Sequence, residues 1–338
     1  MADRQGWASE QSAPVHSPSA TVLLNGGWRT RTTRPKPMVM LTIAFLGLGA
    51  MGAGMAANLA RAGHRVRAFD LSAQAMARAA EAGLIAAASA AEAAAGADAI
   101  VTMLPAGTHV RGAYEGALFA AARRDAILID CSTIDVATAR ALGEAAAAHG
   151  LLMVDAPVSG GVAAAAQGTL TFMVGGPPAA FARAEPVLKA MGRAVIHAGG
   201  PGAGQAAKIC NNMLLAIGMI GTCEAFTLAR ALGLADQTFF DIASQASGQC
   251  WSLTSYCPVP GPVPSSPANR DYAAGFQAAL MLKDLRLAME AARGAGAATP
   301  MGAQAEALYA LFTKAADPAT DFSGIIRMLD GTLPPRGG

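Results

Sequence analysis

Two patterns of apolar and polar positions run along the chain, and the first extends from Leu41 to about Gly199. In it, short apolar runs alternate with alanine-rich segments that favour helices. Strands that alternate with helical segments of this length predict an α/β Rossmann-type fold, a doubly wound parallel sheet with helices on both faces. The predicted strands are TIAFLG (42–47), RVRAFD (65–70), DAIVTML (98–104), AILIDC (126–131), LLMVDAP (151–157), LTFMVGG (170–176) and RAVIHAG (193–199).

The second pattern begins after Gly204, where strand-like runs disappear. The first helical segment there is apolar nearly all round, which is typical of a helix buried between other helices. We therefore predict a sheet domain over 40–201, an all-α C-terminal domain over 202–330 and a flexible tail at 331–338. The predicted helices of the second domain are 204–232, 236–247, 275–294, 300–316 and 322–330.

Residues 1–39 follow neither pattern. They mix Ser, Pro, Gly and Gln, and a basic stretch then precedes apolar residues from Met38 on, an order shared by signal peptides and membrane anchors. Glycines interrupt those apolar residues, however, and each costs roughly 1 kcal/mol relative to alanine inside a helix. We predict that 1–39 is a disordered leader or an upstream extension outside the working protein, which then starts at Met38 or Met40.

Charge and cysteine content argue against several classes of function. The formal net charge is +2 and charged residues make up 14% of the chain, so the sequence offers no basic stripe for nucleic acid. Its five cysteines form no CxxC pair and no Cys/His metal spacing, which predicts reduced thiols and no metal site. The uncharged stretch ICNNMLLAIGMIGTC (209–223) is too short and too polar for a bilayer span, so we expect no membrane association.

A glycine-rich turn follows the first predicted strand. The pattern GxGxxG is common by chance in a glycine-rich chain, but here it also opens the predicted helix MAANLARAG (55–63). In such a turn one glycine makes the bend, one lets the backbone approach a pyrophosphate, and one lets helix and strand pack closely. We therefore predict a dinucleotide site with cofactor contacts at Gly47, Leu48, Gly49, Met51 and Gly52.

Asp70 ends the second predicted strand, eighteen residues after Gly52. A carboxylate at this position accepts hydrogen bonds from the adenosine ribose, whereas it repels a 2′-phosphate. No arginine directly follows Asp70 to reverse that preference. The sequence therefore predicts NAD rather than NADP as the cofactor; the alternative is a packing glycine turn with a surface aspartate.

Three further strand ends are expected to line the same crevice, because ligands bind outside the carboxyl ends of the strands in such sheets. They read TMLPAG (102–107), DCSTID (130–135) and DAPVSGG (155–161). Leu104-Pro105 is a rigid turn suited to lie against the ribose or nicotinamide. The hydroxyls of Thr133 and Ser159 and the backbone N–H groups of Gly160-Gly161 suit a small carboxylate. Taken singly, each fits an ordinary strand-to-loop turn better, and their joint placement at successive strand ends is what favours a ligand site.

Lys208 stands in GAGQAAKICNN, and no other charge follows it until Glu224. Lys208 and Asn212 are spaced i, i+4 and share one helical face. One interpretation is a lysine at the domain boundary whose amine reaches water. The other places Lys208 in the cleft, where burial and a positive nicotinamide lower its pKa and it acts as general base on an alcohol, oriented with Asn212.

A second lysine lies in GFQAALMLKDLRLAMEAARG. The spacing predicts that Phe276, Leu280, Lys283 and Leu287 share one face of a helix. On that basis Lys283 closes over cofactor or substrate from the helical domain, with Asp284 beside it. A structural salt bridge is the competing interpretation.

From about Thr42 to Asp330 the chain resembles the β-hydroxyacid dehydrogenases, and most closely the 3-hydroxyisobutyrate dehydrogenases. The resemblance implies NAD-dependent oxidation of 3-hydroxyisobutyrate to methylmalonate semialdehyde in valine breakdown, and a homodimer or homotetramer formed through the long helix. The alanine-rich composition indicates a bacterial cytoplasm, with the mitochondrial matrix as the alternative. The motifs that carry the resemblance are FLGLGAMGAGMAAN (45–58), DAPVSGG, GQAAKICNN (204–212), CWS (250–252), PVPG (258–261) and GF…MLKDLRLA (275–288).

The same resemblance implies roles for individual residues. Lys208 is the catalytic base, and Lys283 lies near the cofactor. His109 departs from the family, which often has asparagine close to the nicotinamide ribose, and the proline-rich CPVPGPVPSSPANRDY (257–272) resembles an insertion able to reshape the pocket. Substrate contacts are implied for Ser159, Gly160, Gly161, Asn212, Thr133, Phe276 and Asp284.

Two rival functions remain open at this point. A reductase of tartronate semialdehyde, succinic semialdehyde or a related short acid would use identical chemistry, and only the pocket near Trp251, Tyr256 and Phe276 distinguishes it. A non-catalytic dinucleotide-binding sensor would keep the fold without the reaction. The lysine on an apolar helix argues against a sensor, which has little need of a desolvated base.

Overall fold

The computed structural model of the protein describes residues 40–334. The predicted leader at 1–39 lies outside the described residues, as does 335–338 of the predicted tail. The described residues belong to one contact unit, in which we distinguish a sheet half (40–201) and a helical half (202–334). Leu333, within the predicted tail, donates its N–H to the Arg327 carbonyl at 2.8 Å and packs against the core of the helical half.

The sheet half is built on a single sheet of nine strands. Its central strands are fully buried, and their composition of Ile, Val, Leu and Ala suits a sheet covered on both faces. The strands are β1 Thr42–Leu46, β2 Arg65–Phe69, β3 Ile85–Ala86, β4 Ala99–Thr102, β5 Ile127–Asp130, β6 Leu152–Asp155, β7 Val158–Ser159, β8 Leu170–Gly175 and β9 Gly192–Gly199.

Strands β3, β2, β1, β4, β5 and β6 lie side by side in that order, and all their pairings are parallel. The order reverses between β1 and β4, which opens the ligand-binding crevice of a doubly wound sheet at their carboxyl ends. The Rossmann-type prediction is confirmed for these strands. The next strand departs from it: β8 pairs antiparallel with β6 and β7, and parallel with β9. Only about ten residues separate β7 from β8, whereas a parallel return needs about a dozen or more.

Helices cover both faces of this sheet, and two apolar cores lie beneath them. Several of the helices begin at the caps that their sequences suggest. The side chains of Ser72, Ser89 and Asp135 each accept a hydrogen bond from the backbone N–H three residues on. The helices are α1 Gly52–Arg61, α2 Ala73–Glu81, α3 Ala90–Ala94, α4 Gly107–Ala113, α5 Phe119–Ala121, α6 Val136–Ala148, α7 Gly161–Gln167 and α8 Pro178–Lys189, with a π-helical turn at Tyr114–Leu118.

The helical half follows the predicted pattern with shifted ends. The predicted helix at 275–294 begins later, and the predicted 322–330 is a 3₁₀ turn followed by a short α-helix. A short helix and a second 3₁₀ turn, Pro267–Arg270, were not predicted. The α-helices are α9 Ala203–Ala231, α10 Asp236–Ala243, α11 Trp251–Thr254, α12 Ala278–Ala295, α13 Pro300–Ala315 and α14 Ile326–Leu329.

Helix α9 joins the two halves. It packs against β8 of the sheet and against α12 and α13. Among the helices of residues 40–334, only α9 is long and apolar enough to cross a bilayer, with a mean hydropathy of 1.4 over its most apolar window. The core helix of a globular fold passes the same test, and 44% of that window is buried inside the protein. We therefore interpret α9 as a core helix.

The proline-rich segment 257–272 packs on the core of the helical half. The Ser266 hydroxyl donates to the Cys257 carbonyl at 2.5 Å, and the Tyr272 hydroxyl donates to the Pro258 carbonyl at 2.8 Å. Val259 between them is fully buried. The segment is therefore an ordered cover on this core.

Candidate active site

The glycine turn after β1 has the geometry of a dinucleotide cradle. Gly47 has φ +95°, a conformation that other residues rarely adopt. A Cβ at Gly52 would collide with the Gly47 carbonyl, so Gly52 allows α1 to pack against the turn. A Cβ at Gly49 would meet nothing within 4 Å, and this exposed glycine leaves room for a pyrophosphate. Gly47 thus makes the bend, Gly52 allows close packing and Gly49 leaves room for the ligand, which is the division of roles that dinucleotide binding requires.

Asp70 lies against this turn at the end of β2. Its Oδ2 accepts the Leu48 backbone N–H at 2.6 Å, and its Oδ1 accepts the Ser72 N–H at 2.8 Å. The next residue, Leu71, is exposed and uncharged. A half-buried carboxylate is therefore fixed beside the glycine cradle, and the residue directly after it carries no charge to hold a 2′-phosphate.

Lys208 is buried on α9 with 7% of its surface exposed, so it does not extend to solvent. Its Nζ donates to Asn212 Oδ1 at 3.2 Å, as the i, i+4 spacing predicts. Asn212 Nδ2 donates in turn to Asp284 Oδ2 at 2.6 Å. A hydrogen-bonded chain thus runs from Lys208 through Asn212 to Asp284 and links α9 to α12.

Burial lowers the pKa of Lys208, and the like charge of Lys283 lowers it further, while Asp284 opposes both. Burial also raises the pKa of Asp284, against the effects of Lys208, Lys283 and the Asn212 hydrogen bond. Asp284 Oδ1 has no hydrogen-bond partner among residues 40–334. The amine of Lys208 therefore loses its proton more readily than that of an exposed lysine.

Lys283 reaches from α12 to the loops that follow β4 and β5. Its Nζ donates to the Thr133 carbonyl at 2.9 Å and to the Pro105 carbonyl at 3.3 Å, and lies 3.8 Å from Asp284 Oδ1. The approach to Asp284 agrees with the salt-bridge interpretation, and closure of Lys283 over cofactor or substrate stays a prediction. The structure brings Lys283 together with Thr133 and with the Leu104-Pro105 turn.

The predicted common face of Phe276, Leu280, Lys283 and Leu287 is wrong for Phe276, while the other three residues lie within α12. Phe276 precedes α12, and Leu280 is 43% exposed. Helix α12 instead buries the face that carries Asp284, and Lys283 lies partly exposed beside it. The prediction failed because Phe276 lies in a bend before the helix and is held by other contacts, so helical spacing does not apply to it.

Those contacts converge on Asp321, a fully buried carboxylate. Its Oδ2 accepts the N–H groups of Gly275 and Phe276 at 2.9 and 3.0 Å and the Tyr256 hydroxyl at 2.8 Å. The loop that carries Phe276 is thereby fixed at the entrance to α12.

The predicted substrate turn meets this loop. Ser159 ends β7, and Gly160 and Gly161 have φ of +133° and +70°. A Cβ added at Gly161 would lie 3.1 Å from the Gly275 carbonyl oxygen. The turn 159–161 therefore lies against the loop that carries Gly275 and Phe276. His109 lies exposed on α4.

Several buried polar residues of the cleft were not predicted. Asp130 Oδ1 accepts the hydroxyls of Thr102 and Ser132, and Ser132 Oγ accepts the Leu104 N–H at 2.8 Å. Burial raises the pKa of Asp130 to about 6. Its position at the end of an apolar strand was the available signal. Asp155 and Gln205 were also missed, and their contacts are described below.

Two family models match the chain in succession. Residues 42–200 match the NAD binding domain of 6-phosphogluconate dehydrogenase. Residues 202–329 match the NAD-binding model of NADP-dependent 3-hydroxyisobutyrate dehydrogenase.

Known relatives cover the same part of the chain. A probable 3-hydroxyisobutyrate dehydrogenase of Mycobacterium tuberculosis is 54% identical over 86% of this chain and 98% of its own length. The chain belongs to the β-hydroxyacid dehydrogenase family. An NAD-dependent L-serine dehydrogenase of Pseudomonas aeruginosa is 48% identical over 87% of this chain and 99% of its own. The solved Mycobacterium tuberculosis 3-hydroxyisobutyrate dehydrogenase with L-serine has a TM-score of 0.83 and 53% identity, over 86% of this chain and 99% of its own.

As a β-hydroxyacid dehydrogenase, the protein is an NAD-dependent oxidoreductase of hydroxy acids. The resemblance read from the glycine turn, the DAPVSGG loop and the lysine helix is confirmed, and so are the Rossmann-type fold class and NAD. The roles of the individual site residues stay predictions.

The surroundings of Lys208 predict opposite effects of two neighbouring substitutions. Asp284→Asn removes the charge that raises the pKa of Lys208, so the pKa should fall. Lys283→Met removes the charge that lowers it, so the pKa should rise. Both shifts are measurable without turnover, from the pH dependence of acetylation of Lys208 by limiting acetic anhydride, quantified by mass spectrometry.

Exposed Lys189 on α8, paired with Glu185, is the internal control, because it lies in the sheet half and its labelling should be the same in all three proteins. If the pH midpoint of Lys208 acetylation moved in the same direction in both variants, the opposite electrostatic effects assigned to Asp284 and Lys283 would be contradicted.

Proposed function

We propose that this enzyme oxidises 3-hydroxyisobutyrate to methylmalonate semialdehyde with NAD, as a step of valine breakdown, and that Lys208 is the general base. The observation that carries the proposal is the buried lysine, held by Asn212 in a hydrogen-bonded chain to Asp284, on the helix that joins the two halves. A relative named for this substrate shares more than half of the aligned residues, which supports the choice of substrate.

The proposed reaction begins with the neutral amine of Lys208. Its nitrogen accepts the proton of the substrate hydroxyl while the hydride leaves the same carbon, and the aldehyde forms. Bound NAD supplies the acceptor for that hydride. In the reverse direction the protonated amine returns the proton to the aldehyde oxygen. Asn212 accepts one Nζ hydrogen and so orients the nitrogen lone pair toward the cleft.

The substrate carboxylate is proposed to bind the Ser159 hydroxyl and the backbone N–H groups of Gly160 and Gly161. Positive φ at both glycines supports this assignment, because consecutive N–H groups can then converge on an anion. Phe276 gives the methyl group an apolar wall. Thr133, Asn212 and Asp284 complete the proposed set of substrate contacts.

The cofactor is proposed to lie along the carboxyl ends of β1, β2, β4 and β5. Asp70 binds the adenosine ribose, and the bonds that fix its carboxylate support a preference for NAD over NADP. Lys283 lies near the nicotinamide end. The remaining proposed contacts are Gly47, Leu48, Gly49, Met51, Gly52, Leu104, Pro105 and Thr133.

The finer points of organisation are also proposals. We place the NAD-binding domain at 40–201 and the substrate and oligomerisation domain at 202–330. On α9, Leu214 and Leu228 share a face and are 68% and 61% exposed, which supports a homodimer or homotetramer formed through this helix.

We place the enzyme in a bacterial cytoplasm, with the mitochondrial matrix as the alternative.

L-serine is a second candidate substrate. It differs from 3-hydroxyisobutyrate by an ammonium group in place of the methyl group, so the reacting alcohol and the carboxylate keep their spacing. One relative is named an L-serine dehydrogenase, and a solved relative is described with L-serine. Asp284 Oδ1 is buried and accepts no hydrogen bond among residues 40–334, which makes it a suitable acceptor for such an ammonium group.

Steady-state rates with NAD on a panel of short hydroxy acids test the substrate. We expect 3-hydroxyisobutyrate to give the highest kcat/KM, because its methyl group packs against Phe276. L-serine would instead have to remove its ammonium group from water to bind at the same place. The panel includes L-serine, glycerate and 4-hydroxybutyrate, so that the alternatives, including the tartronate and succinic semialdehyde reductases in reverse, are each measured. A higher kcat/KM for any of these would replace the proposed substrate.

The base is tested by Lys208→Ala. We expect kcat to fall by about 10²–10⁴, the usual contribution of a positioned acid–base group. The Kd of NAD should change little, because Lys208 is proposed to contact the substrate. Lys189→Ala, which removes an exposed lysine, serves as the matched control. Activity that survives in Lys208→Ala would remove the lysine from the mechanism, and a dead enzyme that binds NAD normally would support it.

The cofactor preference is tested by Asp70→Ser. The substitution removes the charge that repels a 2′-phosphate, so the ratio of kcat/KM for NAD to that for NADP should fall by about tenfold or more. Asp317→Asn, at an exposed turn of the helical half, is the control. An unchanged ratio in Asp70→Ser would mean that the preference for NAD arises elsewhere.

A further inference from the structure

Helix α9 begins without a cap of its own. Its N-cap residue is Gly202, which has φ +80° and no side chain to accept the first N–H groups. Gly202, Gly204 and Gln205 are all buried, so water does not satisfy these groups freely. The start of the helix therefore needs acceptors from another part of the chain.

Asp155, at the end of β6, supplies them. Its Oδ1 accepts the Gly202 N–H at 2.8 Å, and its Oδ2 accepts the Gln205 N–H at 2.9 Å. Gly202 and Gln205 lie 47 and 50 positions after Asp155 in the chain. Because both carboxylate oxygens are used, the helix start is fixed in position and also in rotation about its axis.

Two glycines allow this close approach. A Cβ at Gly204 would lie 2.8 Å from Asp155 Oδ2, and a Cβ at Gly175 on β8 would lie 2.6 Å from the Gly204 nitrogen. Neither position has room for a side chain. The carboxylate is thus enclosed between the sheet and the first turn of α9.

Gln205 makes a second connection from the same turn. Its side chain is fully buried; Nε2 donates to the Ser132 carbonyl at 2.7 Å, and Oε1 accepts the Ile134 N–H at 3.1 Å. The residue between these two is Thr133, whose carbonyl accepts a hydrogen bond from Lys283. The strand-end segment 132–134 is therefore held by α9 and by α12 at once.

Lys208 follows Gln205 by three residues, about 4.5 Å further along the helix axis. We infer that Asp155 and Gln205 are positioning residues for Lys208: they fix the height and rotation of α9 so that the amine faces the cleft. This inference rests on the proposed role of Lys208 as the base. Within DAPVSGG, the first residue, Asp155, thus holds the start of α9, whereas the turn 159–161 is proposed to bind the substrate.

The test is a double-mutant cycle between Asp155→Asn and Lys208→Ala in the full-length enzyme. Asp155→Asn keeps the shape of the side chain but presents an amide N–H to one backbone N–H, so the helix start must shift. We expect kcat per NAD-binding site to fall by about 10–100-fold, with the KM for NAD changed less than about threefold. In the Lys208→Ala background the same substitution should cause no further loss, because the group it positions is gone.

Gln205→Glu repeats the cycle at the second positioning residue, and it carries the test if Asp155→Asn does not fold. It keeps the Oε1 acceptor for Ile134 and removes the donor to Ser132. Ser89→Ala removes an ordinary helix cap on α3 and is the matched control, expected to leave kcat per site unchanged in both backgrounds.

The outcomes separate this inference from the proposed function. A large loss in Lys208→Ala, followed by an equal further loss when Asp155→Asn or Gln205→Glu is added, would retain the base and overturn the positioning role. Unchanged kcat in both positioning variants would overturn it as well. Full activity in Lys208→Ala would overturn the base, and the inference with it.

Discussion

Burial of the Lys208 amine is the constraint on which the polar contact between α9 and α12 and the proposed chemistry depend. An ammonium group out of water is costly unless hydrogen bonds and an opposite charge accompany it. Here Asn212 provides the hydrogen bond, and Asp284 provides the charge from the neighbouring helix. The residual destabilisation of the charged form lowers the pKa of the lysine, which is the property that a general base needs. The packing of α9 against α12 and the proposed chemistry thus have the same physical origin.

The join between the halves is built from polar contacts at the carboxyl ends of the strands. Asp155, Gln205 and Lys283 each connect a helix of the helical half to a strand end or the loop after it. All of these contacts are buried or partly buried, where hydrogen bonds to charged groups are strongest. The crevice at which a doubly wound sheet binds its ligand is therefore also the place where the helical half is anchored.

The parts of the site that could be predicted are those with local signals. The glycine turn, Asp70 at its fixed distance and the i, i+4 pair of Lys208 and Asn212 follow from short-range geometry. Asp155 could not be found in this way, because it caps a helix whose start lies 47 residues further along the chain. Phe276 was misplaced because a buried carboxylate, Asp321, holds it in a bend before α12 begins.

The most direct measurement is a crystal structure of the dead-end complex with NADH and 3-hydroxyisobutyrate, which cannot react. If the lysine is the base, its Nζ lies about 2.6–3.2 Å from the substrate hydroxyl oxygen, within hydrogen-bond reach. An ordered complex in which Nζ points away from that oxygen, with another side chain or only solvent in contact with it, would contradict the central claim.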